Sequence, residues 1–157
     1  MKKTVENILK IILLIVSFIS FILASIYNTI FYSLISSYFI VFMLCLIHEL
    51  GHILACSITK GKLIEVNLLY FNFSKNKVVI KEGFPLGGSV KFNSLKHSKL
   101  IYLMGPIFTL ITFIIFLVLS ILTTNILFIV ITSISLINVI FVSIPTKGTD
   151  IYKIFKK

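Results

Sequence analysis

Long apolar runs dominate this chain and alternate with short polar segments. No charged side chain occurs between Lys10 and His48, and that run is too long for one membrane span of about 20 residues. The polar pair Asn28-Thr29 interrupts it, and the uncharged Thr123–Asn125 segment separates two later apolar runs. The pattern therefore predicts about four transmembrane helices, at roughly residues 8–27, 32–58, 100–122 and 126–145.

The segment 60–99 between the second and third helices has a different character. Its alternating or β-branched patches, Leu63–Val66 and Val78–Ile80, are separated by a polar turn at 74–76, which is typical of a hairpin. The glycine-rich stretch 84–92 predicts a turn that leads into a short strand. We therefore expect one domain over residues 1–157, an all-α membrane protein with a short β-hairpin or re-entrant loop.

Composition supports the membrane interpretation. The chain is 58% hydrophobic and 13% charged, with a mean hydropathy of +1.10, whereas soluble domains carry about 25% charged residues. A chain of 157 residues is too short to bury so much apolar surface in one water-soluble core, so we expect a lipid bilayer around it. A signal peptide is the alternative for the first helix, but its apolar run fits a small-residue cleavage site poorly.

The positive charges indicate an orientation. The 15 basic residues are all lysines, and they lie in the N-terminal segment, the 60–99 loop and the tail after the last helix. Cytoplasmic loops of membrane proteins carry such an excess, so we expect a multi-pass protein of the cell membrane with both termini in the cytoplasm. This distribution does not favour a nucleic-acid partner. The composition is typical of an AT-rich bacterial genome.

The second predicted helix contains His48-Glu49-Leu50-Gly51-His52. Residues four apart project from one helical face, so both imidazoles can bind a single ion. Glu49 lies beside that face and can take a proton from metal-bound water without being a ligand. A chance match is expected on the order of twice per thousand such compositions. The motif therefore indicates a site for one Zn²⁺, which suits two imidazoles, a carboxylate and one open position.

The third ligand is less well defined by the residues alone. The candidates are Glu65, Glu82, His97, Asp150, Cys45 and Cys56. Each cysteine is close to only one of the histidines along the helix, and at about 16 Å apart the two cannot form a disulfide. The loop residues are more simply explained as solvated charges. Asp150 follows the last helix on the membrane side predicted for His52, with a tail charge among lysines as the alternative.

These residues resemble the site-2 protease family of intramembrane zinc proteases. Four landmarks occur in the family's order, from about Ser33 to Lys153. They are the H-E-x-x-H motif, the glycine-containing segment 84–91, the Gly105-Pro106 pair that opens the third span, and Pro145 five residues before Asp150. The first and the last are specific; the last has the spacing of the family's Asn-x-x-Pro-x-x-x-x-Asp-Gly element.

The resemblance implies that Asp150 is the third zinc ligand. It also implies hydrolysis of a peptide bond in or next to a transmembrane segment, in a membrane-protein or peptide substrate. The β-rich loop would pair with an unwound substrate. Selectivity would come from that loop, from a regulatory membrane partner or from trimming of the substrate before it reaches the site. The candidate substrate-binding residues are Gly87, Gly88, Val90 and Asn138, the last as a substitute for a family asparagine.

The chain departs from the family pattern at three positions. Val142 and Ile151 stand where the closing element has asparagine and glycine, and Thr109 matches an asparagine usual near the Gly-Pro pair. These departures favour an alternative function, a non-catalytic membrane zinc protein that binds a peptide or partner as a regulatory or immunity factor.

Overall fold

The structure is a computed structural model that describes residues 2–74, 77–80, 87–93, 98–147 and 149–155. The helices are α1 (Lys2–Tyr27), α2 (Ile30–Ile35), α3 (Ser37–Ile58), α4 (Ser98–Thr123), α5 (Ile126–Ser143) and α6 (Asp150–Phe155). The strands are β1 (Lys62–Leu68), β2 (Phe71–Ser74), β3 (Lys77–Ile80) and β4 (Gly88–Asn93).

Helices α1, α3, α4 and α5 are long and apolar enough to cross a membrane, as the hydrophobic pattern predicts. In the most apolar stretch of α3, 50% of the residues are buried, against 22% in α1 and 17% in both α4 and α5. Helix α3, which carries the H-E-x-x-H motif, is therefore the central helix. The other three turn most of their apolar surface outward, as expected for helices in contact with lipid.

The second predicted helix is interrupted, which the sequence pattern did not predict. Helix α2 ends at Ile35 and α3 begins after Ser36. Ser17 of α1 lies against this break: the Phe39 N–H donates to its Oγ at 2.8 Å, and its hydroxyl donates to the Ile35 carbonyl at 3.0 Å. A hydroxyl from the neighbouring helix thus supplies hydrogen-bond partners where the backbone hydrogen bonds of the helix are interrupted.

The loop between α3 and α4 contains a four-stranded antiparallel sheet in the order β3-β2-β1-β4. The prediction of a single hairpin in an all-α protein was therefore incomplete. Strand β1, which contains the Leu63–Val66 patch, does not pair with β3; β2 lies between them because Leu69-Tyr70 makes a turn that the pattern did not reveal. Strand β4 was predicted, although residues 81–86 before it lie outside the described chain.

One face of the sheet packs on α3 and its β1–β2 turn packs on α1. Val66, Leu68 and Val90 form a buried cluster with Cys45 of α3. The Tyr70 hydroxyl donates to the Lys10 carbonyl at 3.2 Å, and the Lys10 ammonium pairs with Glu6 at 2.7 Å. These contacts hold the sheet at the end of the helices where α3 terminates.

Candidate metal centre

Three side chains from distant parts of the sequence converge on one point. The Asp150 Oδ2 atom lies 3.1 Å from His48 Nε2 and 3.0 Å from His52 Nε2, and the two Nε2 atoms are 3.2 Å apart. Among the histidine, cysteine and acidic side chains of the described residues, His48, His52 and Asp150 form a group that can hold a metal ion. The structure therefore brings Asp150 to the two motif histidines, as predicted.

The outer nitrogens of both imidazoles have defined partners. His52 Nδ1 lies 2.7 Å from the Ile101 carbonyl oxygen, which only accepts, so Nδ1 carries the proton. His48 Nδ1 lies 2.8 Å from Thr109 Oγ1, whose own proton is donated to the Gly105 carbonyl. In the neutral form that metal binding requires, each imidazole is therefore the tautomer whose Nε2 lone pair faces the centre. Such outer partners orient metal-binding histidines.

The donor set fits zinc in number, chemistry and spacing. Ligands about 2.0–2.1 Å from a tetrahedral zinc ion lie roughly 3.3 Å from one another, and the observed separations are 3.0 to 3.2 Å. Two Nε2 lone pairs and a carboxylate oxygen are all acceptors, so a cation at their centre removes the repulsion among them. Three protein ligands leave the fourth position that catalytic zinc sites keep open.

Asp150 is the first residue of α6, which packs mainly against α4, and its side chain reaches the two histidines of α3. Its other oxygen, Oδ1, lies 3.0 Å from the Lys153 ammonium, which also sits 5.0 Å above the Tyr102 ring. Burial alone would raise the pKa of Asp150, but hydrogen bonds that the histidines donate when they are protonated, together with the Lys153 ammonium, outweigh it and hold that pKa well below its usual range. The carboxylate is therefore ionised, as a metal ligand must be.

Glu49 lies beside the three converging groups with one carboxylate oxygen uncommitted. Its side chain is 2% exposed, and Oε2 has no hydrogen-bond partner among the described residues. A Cβ at Gly88 would lie 2.5 Å from Oε1 and 2.8 Å from Cys45 Sγ, so only glycine lets β4 approach this closely. A buried carboxylate oxygen normally finds a partner, which leaves Oε2 available to a water or substrate group.

Two further glycines bring α4 against the site. A Cβ at Gly105 of α4 would lie 2.8 Å from His48 Nε2 and closer still to His52 Nε2. On α3, a Cβ at Gly51 would lie 2.5 Å from the Met104 carbonyl oxygen. The α3–α4 contact is therefore close enough for α4 to supply the backbone and hydroxyl partners of the imidazoles.

A cavity of about 530 Å³ opens beside the converging side chains. Its walls include His48, Glu49 and Asp150, together with three of the predicted substrate-binding residues, Gly87, Gly88 and Asn138. Val90 is not among the lining residues; it is buried between the sheet and α3. Val142, where the family pattern has asparagine, does line the cavity.

The other candidate ligands do not join this group, or lie outside the described residues. Cys45 and Cys56 are free and buried in separate apolar clusters. Glu65 accepts from Lys91 at 2.7 Å and from Asn72 on the sheet, and these partners lower its pKa. Glu82 and His97 fall outside the described part of the chain. Of the described candidates, only Asp150 reaches the histidines.

Sequence reasoning did not identify three groups that complete the site. The Ile101 carbonyl has no side-chain signature, and Thr109 was noted only as a departure from an asparagine. Lys153 follows Asp150 by three residues, so helical spacing after Asp150 would have revealed it, had α6 been predicted.

Comparison of the chain with protein-family models, curated protein sequences and solved structures gave no match.

Proposed function

We propose that this protein is a membrane zinc metallopeptidase that hydrolyses a peptide bond in or next to a transmembrane segment, with the residue roles of the site-2 protease family. The observation that carries the proposal is the position of Glu49. Glu49 lines the same cavity as His48 and Asp150, and its buried Oε2 has no hydrogen-bond partner among the described residues. A purely structural metal site is closed and needs no buried base.

The proposed roles follow from the contacts of each side chain. His48, His52 and Asp150 would hold zinc, which lowers the pKa of a water towards about 7 and polarises a peptide carbonyl. Glu49 would accept the proton from the attacking water on Oε2 and pass it to the leaving amine. Because Gly88 has no side chain, β4 can lie close to Oε1 of this base.

Strand β4 is suited to hold the substrate extended. A transmembrane helix resists attack because its peptide groups are hydrogen-bonded to one another, so the substrate must unwind. Among the described strands β4 has a neighbour, β1, on one side only, and its first residues, Gly88 and Ser89, line the cavity. An unwound segment could therefore add to this edge as a further strand, which would place its backbone beside Glu49.

The positive-inside distribution of lysines supports a cytoplasmic location for the sheet, the metal centre and both termini. Lys60 and Lys62 follow the end of α3, and Lys147 and Lys153 follow α5, so these charges lie at the same end of the helices as Asp150. Cleavage would thus occur near the cytoplasmic surface of a bacterial cell membrane.

Purified protein in detergent tests the proposal directly. The wild type should cleave a membrane-segment substrate, chelation should stop cleavage, and added zinc should restore it. Glu49→Gln should keep its zinc yet lose cleavage, because the amide retains the shape of the side chain but cannot act as a base. A fully active Gln variant would refute the enzymatic role.

The alternative is a zinc protein that binds a peptide without cleaving it. It is favoured by Val142, which gives the cavity an apolar wall where the family pattern has asparagine, and by Ile151 next to Asp150. In that case wild type and Glu49→Gln would retain peptide equally well, and neither would produce fragments.

A further inference from the structure

The cavity has two chemically different ends. One end lies deeper along the helices and is formed by apolar side chains, with Val41 and Leu44 from α3 facing Ile134 and Ile137 from α5. The other end lies beyond the last turn of α5 and is lined by Lys147 and Lys153. A cavity lined by apolar side chains and by two lysines matches an apolar chain segment followed by an anionic group.

The acids that line this cavity neutralise its basic end only in part, because Asp150 pairs with Lys153 but not with Lys147. Glu49 is buried against Gly88, and Asp150 is already shared between two imidazoles and Lys153. Lys147 is exposed and forms no ion pair within the described residues. The Lys153 ammonium donates one of its three N–H groups to Asp150 Oδ1. Donors therefore remain available at the mouth of the cavity.

We propose that Lys147 and Lys153 form a carboxylate-binding subsite, which selects substrates whose apolar segment is followed by an acidic side chain or by the peptide's own C-terminal carboxylate. This inference rests on the proposed peptidase function, because it assigns the substrate class of the same cavity. The apolar α3–α5 wall receives the membrane segment, and the lysines fix where it ends. That register determines which peptide bond lies beside Glu49.

Four peptides with one apolar segment of about 15 residues test the subsite. Three end in Glu-Glu, Gln-Gln or Lys-Lys with an amidated C-terminus, and the fourth ends in Gln-Gln with a free carboxylate. The kcat/KM of the zinc-loaded wild type should be higher for the Glu tail than for the amidated Gln tail by about two- to fivefold per lysine, the range for partly solvated charge pairs. The Lys tail should be the poorest substrate. The free-carboxylate peptide shows whether a chain terminus satisfies the same subsite.

A charge reversal separates the subsite from a general effect of net charge. Lys147→Glu should abolish the preference for the Glu tail, because the new carboxylate offsets the positive charge of Lys153. Lys77→Glu makes the same change in net charge on β3, outside the cavity lining, and should keep the wild-type order. An equal shift in both variants would overturn the proposal, because bulk charge would then explain the preference.

Binding gives a readout that does not need turnover. Fluorescence anisotropy of the same peptides with zinc-loaded Glu49→Gln should reproduce the order Glu, Gln, Lys. Retained order in binding without any cleavage by the wild type would support the subsite and refute the peptidase function. Equal affinity for all four peptides would refute the subsite, whether or not the wild type cleaves them.

Discussion

A single methyl group at Gly105 should weaken metal binding strongly without removing any ligand. Gly105 lies within α4, where helix propensity alone predicts that alanine stabilises the helix by about 1 kcal/mol. Its Cβ, however, would lie 2.8 Å from His48 Nε2 and nearer to His52 Nε2. Carbon and nitrogen atoms in contact need about 3.5 Å, so the imidazoles must move by roughly 1 Å. Metal sites tolerate errors of about 0.2 Å.

The expected result for Gly105→Ala is a fall in zinc affinity of at least about 10- to 100-fold, the cost of disturbing a histidine's outer partner, with cleavage lost in parallel. Competition with a chromogenic chelator measures the affinity. Gly87→Ala is the matched control, because a Cβ there meets nothing within 4 Å. A Gly105→Ala variant that binds zinc like the wild type would refute the placement of α4 against the imidazoles.

Three further predictions test other parts of the structure. Thr109→Val should lower zinc affinity about 10- to 100-fold because His48 Nδ1 loses its acceptor, while Thr109→Ser should bind like the wild type in the same chelator competition. Ser17→Ala should lower the free energy of unfolding in detergent by about 1–3 kcal/mol, since the Phe39 N–H at the helix break loses its partner; Ser25→Ala, on an exposed side of α1, should have little effect, and equal effects would contradict the role of Ser17. An impermeant thiol reagent applied to intact cells should label Thr123→Cys but not Lys77→Cys, and the reverse result would refute the orientation.

The helices and the motif could be predicted because the bilayer imposes a simple requirement. A span needs about 20 apolar residues, so four apolar runs predict four helices, and two histidines four apart must share a helical face. The break at Ser36 could not be predicted, because its partner Ser17 is supplied by another helix. The sheet was only partly predicted, because β2 and the Leu69-Tyr70 turn carry no strong alternation.

The candidate site divides in the same way. His48, Glu49 and His52 are local in sequence, and Asp150 could be placed by topology and resemblance. The backbone carbonyl of Ile101 and the hydroxyl of Thr109 become part of the site only because Gly51 and Gly105 let α4 approach α3. Such partners depend on the packing of two helices, which no single segment reveals. Lys153 depends on α6, too short a helix to show a periodic pattern.

The zinc content of Asp150→Ala tests the central claim most directly. Purified wild type should contain one zinc ion per chain by elemental analysis, and Asp150→Ala should lose most of it, because two imidazoles alone leave the ion half coordinated. Glu65→Ala removes a carboxylate that pairs with Lys91 on the sheet and should keep its zinc. Full zinc occupancy in Asp150→Ala, with loss in Glu65→Ala, would contradict the account and move the third ligand to the sheet.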